Sequence, residues 1–346
     1  MLKKLSGIYT PLFAVFLGIF VGAIIMLVSG YNPIVGYGAL IEGIFGNAEY
    51  LGETIRTMTP LILSGLAVAF AFRTGLFNIG VEGQLMVGWL AAVWVGVTFE
   101  LPKIIHLPMA IMAAAIAGAL WAFIPGYLKA KFKIHEVITT IMMNYVALYV
   151  TAYLIRTYLK AGMERTEKIA SSASLASEYL QVITEYSRLH YGIIVALLAA
   201  VLMWFMLWKT KLGYELRAVG YNQHGAHYSG MKVNRNIVLS MVISGAFAGA
   251  AGAMEGLGTF QYMSIMAHFT GIGFDGIAVA LLGANTALGV VLASGLFGGL
   301  KFGAANMENV GVPPELVEIV IALIIFFVAS SYLIRLIINR FQKEGK

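Results

Sequence analysis

The chain has 346 residues, 60% of them hydrophobic and only 12% charged, and it contains no cysteine. A soluble domain carries roughly a quarter charged residues, so composition excludes that class. The missing thiols exclude a disulfide framework, a cysteine nucleophile and a thiolate metal site. A formal net charge of +6 in so apolar a chain belongs on the cytoplasmic loops of a membrane protein, and no nucleic acid is expected as a partner. Apolar runs near 20 residues recur, as a hydrocarbon core about 30 Å thick requires of spanning helices. The fold expected is an all-α polytopic membrane protein. It forms a single transmembrane domain over 1–346, with about 8–10 transmembrane helices.

Lys3 and Lys4 precede an apolar run too long for a signal-peptide core, with no small-residue cleavage site after it. The first span is therefore 8–28. An outer segment, 32–59, carries Glu42, Glu49, Glu53 and Arg56. The apolar stretch 60–72 is short for a crossing and is interrupted by the polar, glycine-containing run 73–84, after which 85–99 spans. The segment 107–128 returns to Lys129, Lys131 and Lys133, and 134–155 crosses again. An exterior loop is expected at 160–190, then a span at 191–208.

The interval 209–236 is polar and lies between two long apolar segments. Leu212, Leu216 and Val219 recur at helical spacing, with Glu215 and Arg217 on other faces. Gly220 suits a helix C′ position and Asn222 the N-cap of a second short helix. A simple connector between spans needs no capped helix–glycine–helix, so this foot suits a surface that receives a push from a partner. His224 and His227 on it are expected to be solvated. Beyond it, 237–254 crosses, 256–276 is glycine-rich and broken, 277–287 is short, and 289–302 follows. A turn at 306–315 leads to the last span, 316–338.

This threading places Lys3, Lys4, Arg73, Lys129, Lys131, Lys133, Lys209, Lys211, Arg217, Lys232, Arg235, Arg335, Arg340, Lys343 and Lys346 inside, 15 of the 23 basic residues. The bias puts both termini in the cytoplasm. The span count is ten if both short segments cross and eight if the two broken regions are re-entrant.

The runs Thr74-Gly75-Leu76-Phe77-Asn78-Ile79-Gly80 and Thr270-Gly271-Ile272-Gly273-Phe274-Asp275-Gly276 resemble each other with a one-residue gap. Paired, glycine-interrupted segments in two halves of a membrane protein point to an internal repeat around a central site. Non-helical backbone at membrane depth is tolerated only inside protein or along a cavity. Phe77, Asn78, Glu82, Phe274 and Asp275 at these breaks are therefore candidate substrate-path residues, and so is Asn144, polar at mid-span depth in 134–155, where it either bonds a neighbouring helix or meets a polar solute. Asp275 is the one aspartate of the chain, and an acidic group at depth is costly unless paired or wet. Asn78 or Asp275 also suits a cap on the following half-helix. Phe260 and Tyr262, like Phe77 and Phe274, are rings of the kind that stack on a planar solute. Glycine pairs at four-residue spacing, Gly18/Gly22, Gly245/Gly249 and Gly295/Gly299/Gly303, predict close helix packing. Gly271–Gly276 formally matches a dinucleotide fingerprint, but no strand precedes it. A P-loop motif is absent, and the six histidines form no metal constellation. No nucleophile–base pair stands out, so a membrane enzyme is not the expected class. From broken helices and Asp275 alone, an ion-driven secondary carrier remains a reading of the residues.

Taken together, Phe72-Arg73-Thr74-Gly75-Leu76-Phe77-Asn78-Ile79-Gly80-Val81-Glu82-Gly83-Gln84, Thr139-Thr140-Ile141-Met142-Met143-Asn144-Tyr145 and Arg217-Ala218-Val219-Gly220-Tyr221-Asn222 resemble the inner-membrane permease subunits of ABC importers for branched-chain amino acids and simple sugars. The likeness extends over nearly the whole chain and points in particular to the nucleoside-import branch that works with basic-membrane-protein-type binding lipoproteins. One departure is Gly225-Ala226 where that family usually shows Ala-Ala. The resemblance implies a type II importer architecture and a translocation path for nucleosides, purine nucleosides above all. Simple sugars and branched-chain amino acids are the alternative cargo. It implies a foot docked on an ATPase through Glu215, Arg217, Gly220 and Asn222. The partners it implies are two ABC ATPase subunits that hold ATP and magnesium, a second permease subunit (a paralogue) and an extracytoplasmic substrate-binding lipoprotein. It places the chain in the bacterial cytoplasmic membrane, surrounded by lipid, with no cofactor or metal of its own.

Overall fold

The computed structural model describes residues 2–159, 162 and 164–330. Among them the chain is helical almost throughout, with two isolated β-bridges and no strand. In chain order the helices are α1 (Leu2–Val28), α2 (Pro33–Phe45), α3 (Ala48–Arg73), α4 (Val81–Thr98), α5 (Lys103–Phe132), α6 (Glu136–Leu154), α7 (Glu178–Ile183), α8 (Gly192–Lys209), α9 (Lys211–Tyr221), α10 (Gln223–Tyr228), α11 (Val233–Met254), α12 (Ile272–Leu282), α13 (Ala287–Asn309) and α14 (Pro314–Ala329). A π-turn extends α6 over Ile155–Leu159, and another extends α11 over Glu255–Thr259. Among the described residues, seven helices are long and apolar enough to cross a membrane: α3, α4, α5, α6 with its π-turn, α8, α11 with its π-turn, and α13. The chain is a multi-pass membrane protein. The final turns expected for the last span, together with Lys160, Arg335, Arg340, Lys343 and Lys346, lie outside the described residues.

Two expectations about the breaks need correction. The stretch 60–72 is not a short segment. It is the second half of α3, a helix of 26 residues that runs through Pro60. The charges at Glu49, Glu53 and Arg56 hid its continuity in the sequence, because hydropathy falls where those residues sit. The later break is also displaced: α12 begins at Ile272, inside the glycine-rich motif rather than after it. The reason is a cap supplied from another helix, described below. The two motifs share a Thr-Gly turn with a left-handed glycine, φ +77° at Gly75 and +83° at Gly271. Their likeness ends there, since α12 follows its glycine at once and α4 only after five residues.

Two compact units divide the chain, 1–54 with 299–346, and 55–298. In the first, α1 packs on α14, and a Cβ on Gly18 would lie 2.6 Å from the Ile324 Cα. That glycine stripe thus serves packing within the chain. In the second unit α11 lies against both α5 and α4. A Cβ on Gly249 would collide with the Ala114 carbonyl of α5, and one on Gly118 with the Gly245 carbonyl. Helices in lipid gain nothing from hydrophobic transfer between one another, so close backbone approach supplies the van der Waals contact that holds them.

Candidate functional site

The centre of the larger unit is a polar seam around residues 74–84. At its lower end α3 stops where Gly75 turns left-handed, and the Thr74 hydroxyl bonds the Ala71 carbonyl at 2.9 Å and the Ser240 hydroxyl. Asn78, fully buried, donates to Gln84 Oε1 (2.9 Å) and Ser244 Oγ (2.8 Å) and accepts from the Gly80 amide (3.0 Å). Ser244 in turn donates its hydroxyl hydrogen bond to the Ala67 carbonyl at 2.7 Å. Asn144 of α6 accepts from the Gly83 amide (2.9 Å) and donates to the Ile79 carbonyl (3.0 Å). These side chains satisfy the backbone groups released by the interruption, which lipid cannot do.

Glu82 carries the seam to α12. Its carboxylate, fully buried, accepts from the Thr270 amide (2.6 Å), the Thr270 hydroxyl (2.6 Å), the Gly271 amide (3.0 Å) and the Gly273 amide (2.7 Å). Four donors and the positive end of a helix dipole compensate the loss of water around a buried anion. The cap of α12 is therefore Glu82, from α4. Asn78 does not cap α4, and Asp275 sits half-buried within the first turn of α12. Phe77 stacks on Phe72 at 4.9 Å, and Phe274 meets Phe269 edge-on at 5.7 Å.

The foot is α9 and α10. Thr210 caps α9 through the Gly213 amide at 3.0 Å, and Asn222 caps α10 through the Gly225 amide at 3.0 Å, the cap expected of it. Leu216 is buried, and Val219 and Ala226 are buried in one cluster with Ala71, Leu76, Ala130 and Met241. Gly220 is not a C′ residue: α9 continues through it to Tyr221. Its absent side chain serves a close approach instead. A Cβ there would stand 2.7 Å from the Thr74 carbonyl carbon, and one on Gly75 would stand 2.7 Å from the Gly220 Cα. The foot and the start of the seam touch backbone to backbone. Arg217 lies over Trp208 at 4.1 Å, with Arg73 at 6.0 Å from the same ring. Arg73 also donates to the carbonyls of Asn285 (2.8 Å) and Ala284 (2.9 Å), in the left-handed turn after α12. Glu215 accepts from Asn236 of α11 at 3.3 Å. His224 and His227 are exposed.

At the opposite end of this unit two cavities share Phe260 and Tyr262. One, of about 640 Å³, is lined by Arg165, Lys168, Arg188, Glu167 and Gln181 among others. The second, of about 530 Å³, is lined by Trp89, Glu255, Phe260, Tyr262, His268 and Phe269 among others. None of the six candidate path residues lines either cavity. Asn78, Glu82 and Asn144 are brought together in the seam with their polar atoms engaged. Phe274 and Asp275 lie at the capped end of α12, and Phe77 at the start of the seam. Sequence reasoning passed over Ser240 and Ser244, whose i,i+4 spacing in an apolar helix was a readable sign of a polar face. It also passed over Glu255, an acidic residue within an otherwise uncharged apolar stretch.

The family described as the permease component of the branched-chain amino acid transport system matches residues 50–329. The chain belongs to that family and is a transport component of the ABC type rather than an enzyme. It is 64% identical to the guanosine ABC transporter permease protein NupP of Bacillus subtilis, over all 346 residues and 99% of that protein. It is 40% identical to the nucleoside ABC transporter permease protein NupB of Lactococcus lactis, over 98% of this chain and 95% of that one. A glucose ABC transporter permease protein, TsgB13 of Haloferax volcanii, is 36% identical over 93% of this chain and 87% of its own length. No solved structure matches the chain.

Proposed function

We propose that this chain is the membrane-spanning subunit through which an ATP-driven importer passes purine nucleosides into a bacterial cell. The observation that carries the reading is 64% identity, end to end, to a guanosine permease. A glucose permease at 36% sets the competing cargo. Uptake of labelled guanosine by cells that depend on this system tests the two. Unlabelled purine nucleosides should suppress uptake, and excess glucose, ribose or leucine should leave it unchanged. Suppression by a sugar would reverse the assignment.

In this reading the foot faces the cytoplasm and receives an ABC ATPase on α9 and α10, while 160–190 lies outside, where a binding lipoprotein docks. A paralogous permease completes the membrane pair. The bases at Arg73, Lys129, Lys131, Lys133, Lys209, Lys211 and Lys232, collected near the foot, support this orientation. Movement of the foot is transmitted at the Gly220–Gly75 contact to the seam, and Glu82 carries it to α12. Asn78 and Asn144 hold the seam as one body, and Phe77, Phe274 and Asp275 border the segment that shifts. ATP and the loaded binding protein favour different arrangements of these packed elements, so turnover changes the side to which the path opens.

A further inference from the structure

Glu255 takes no part in the seam. It is 4% exposed and opens the π-turn Glu255–Thr259 at the end of α11. Such turns widen a helix by one residue, re-aim the side chains that follow and recur at functional positions. Among the described residues one hydrogen bond to the carboxylate is seen, a 3.5 Å contact from Thr259 Oγ1, and the positive charges of Arg56 and Arg188 act on it from nearby. That hydroxyl is itself 3.5 Å from both Arg56 Nη1 and His190 Nε2. The contrast with Glu82 and its four donors is sharp, because a carboxylate held inside protein normally fills its lone pairs. Glu255 instead forms part of the wall of the 530 Å³ cavity. That volume falls within the range of roughly 300–1,000 Å³ usual for small-molecule sites.

Four rings, Trp89, Phe260, Tyr262 and Phe269, share that wall with His268 and with aliphatic and hydroxyl side chains. Trp89 is anchored by its indole N–H to the Tyr262 carbonyl at 3.0 Å and stacks on Phe260 with centroids 5.4 Å apart and planes 23° from parallel. Phe260 remains 42% exposed. Tyr262 and Phe260 pack in a T-shaped arrangement at 6.2 Å, and the Arg165 guanidinium lies over the Tyr262 ring at 4.7 Å. A rigid aromatic surface beside a buried carboxylate is the arrangement that receives a planar heterocycle by stacking and reads its edge by hydrogen bonds.

A carboxylate accepts two parallel N–H groups best. Guanine presents two such donors side by side, N1–H and the 2-amino group. Adenine offers an acceptor at N1, and hypoxanthine lacks the second donor. We propose that Glu255 recognises the N1–H and 2-amino edge of a guanine base stacked on Phe260, and so sets a preference for guanosine over other purine nucleosides at this subsite. The proposal rests on the nucleoside reading above and adds the residue and the base.

The test is uptake of labelled guanosine, inosine and adenosine in cells carrying the complete transport system, with membrane levels of the permease matched by immunoblot. Comparing each variant with the wild type substrate by substrate cancels the selectivity of the binding protein. Glu255→Gln replaces one acceptor oxygen by a donor, so guanosine uptake should fall by roughly 5–150-fold while adenosine uptake is retained. Phe260→Leu should weaken uptake of all three, again by roughly 5–150-fold, and Phe260→Tyr should restore it. If Glu255→Gln fails to reach the membrane, Glu255→Asp, which keeps the charge but withdraws the carboxylate by one methylene, should lower guanosine uptake more than adenosine uptake, and an unchanged ratio would overturn the assignment. An unchanged guanosine-to-adenosine ratio in Glu255→Gln, equal loss of all three substrates at normal membrane level, or full activity of Phe260→Leu would each overturn the assignment. Wild-type cells that take up no nucleoside would instead overturn the function proposed for the whole chain.

Discussion

Glu82 and Gly220 show how single residues acquire roles that their own neighbourhoods do not state. Glu82 sits in the first turn of α4, where an acidic residue suits the local dipole, yet its partners are 188 to 191 residues away. Glu82→Gln keeps the shape but presents an amide N–H₂ to a nest of donors. Hydrogen bonds to charged groups contribute about 1.5–3 kcal/mol each, so this variant should unfold in detergent at a clearly lower temperature. A melting curve matching the wild type would show that the cap does not hold α12. Gly220→Ala would place a methyl group against the backbone at Thr74 and Gly75, and overpacking of that kind costs about 1–3 kcal/mol. The expected phenotype is ATP hydrolysis that continues while uptake falls. Hydrolysis and uptake reduced in equal proportion would remove the contact from the coupling path.

Among elements, the glycine-to-glycine meeting of α5 and α11 decides how the larger unit is built. Gly249→Leu drives a side chain into the α5 backbone at Ala114 and Gly118, and should abolish stable insertion. Gly295→Ala is the matched control, because its Cβ would meet only Met58 Cε, at 4.0 Å. Membrane level and thermal stability should separate the two, and equal tolerance would mean that the stripe carries no packing load. The sequence announced Gly249 and Gly295 equally; which of them meets a neighbouring backbone is a property of how the helices face one another. The foot was more legible. Its cap at Asn222 and its apolar Leu216 and Val219 at helical spacing follow from residues within a dozen positions of each other, and local rules suffice for them.

For the molecule as a whole, the absence of cysteine in the sequence permits single-cysteine labelling without background. Tyr228 and Tyr186 are 93% and 81% exposed and lie on the foot and in 160–190. With an impermeant maleimide on intact cells, Tyr186→Cys should label and Tyr228→Cys should label only after lysis. The opposite pattern would invert the proposed orientation. Purified alone in liposomes, the chain should equilibrate or exclude solute and never concentrate it, since among its motifs none binds ATP through a P-loop. Accumulation against a gradient would end the importer reading.

Composition, apolar run length and local capping were enough to establish the membrane class and the helix–cap–helix of the foot, because each depends on residues close together in the chain. The start of α12, the engagement of Asn78 and Asn144 inside protein, and the exposure of Glu255 to a cavity were decided by tertiary structure alone. A buried polar atom is defined by the partner that reaches it, and here those partners come from helices far apart in sequence. Hydrogen-bond satisfaction is pairwise and long-range, so Glu82 became a cap, Asn78 and Asn144 became splints, and Glu255 became part of a cavity wall.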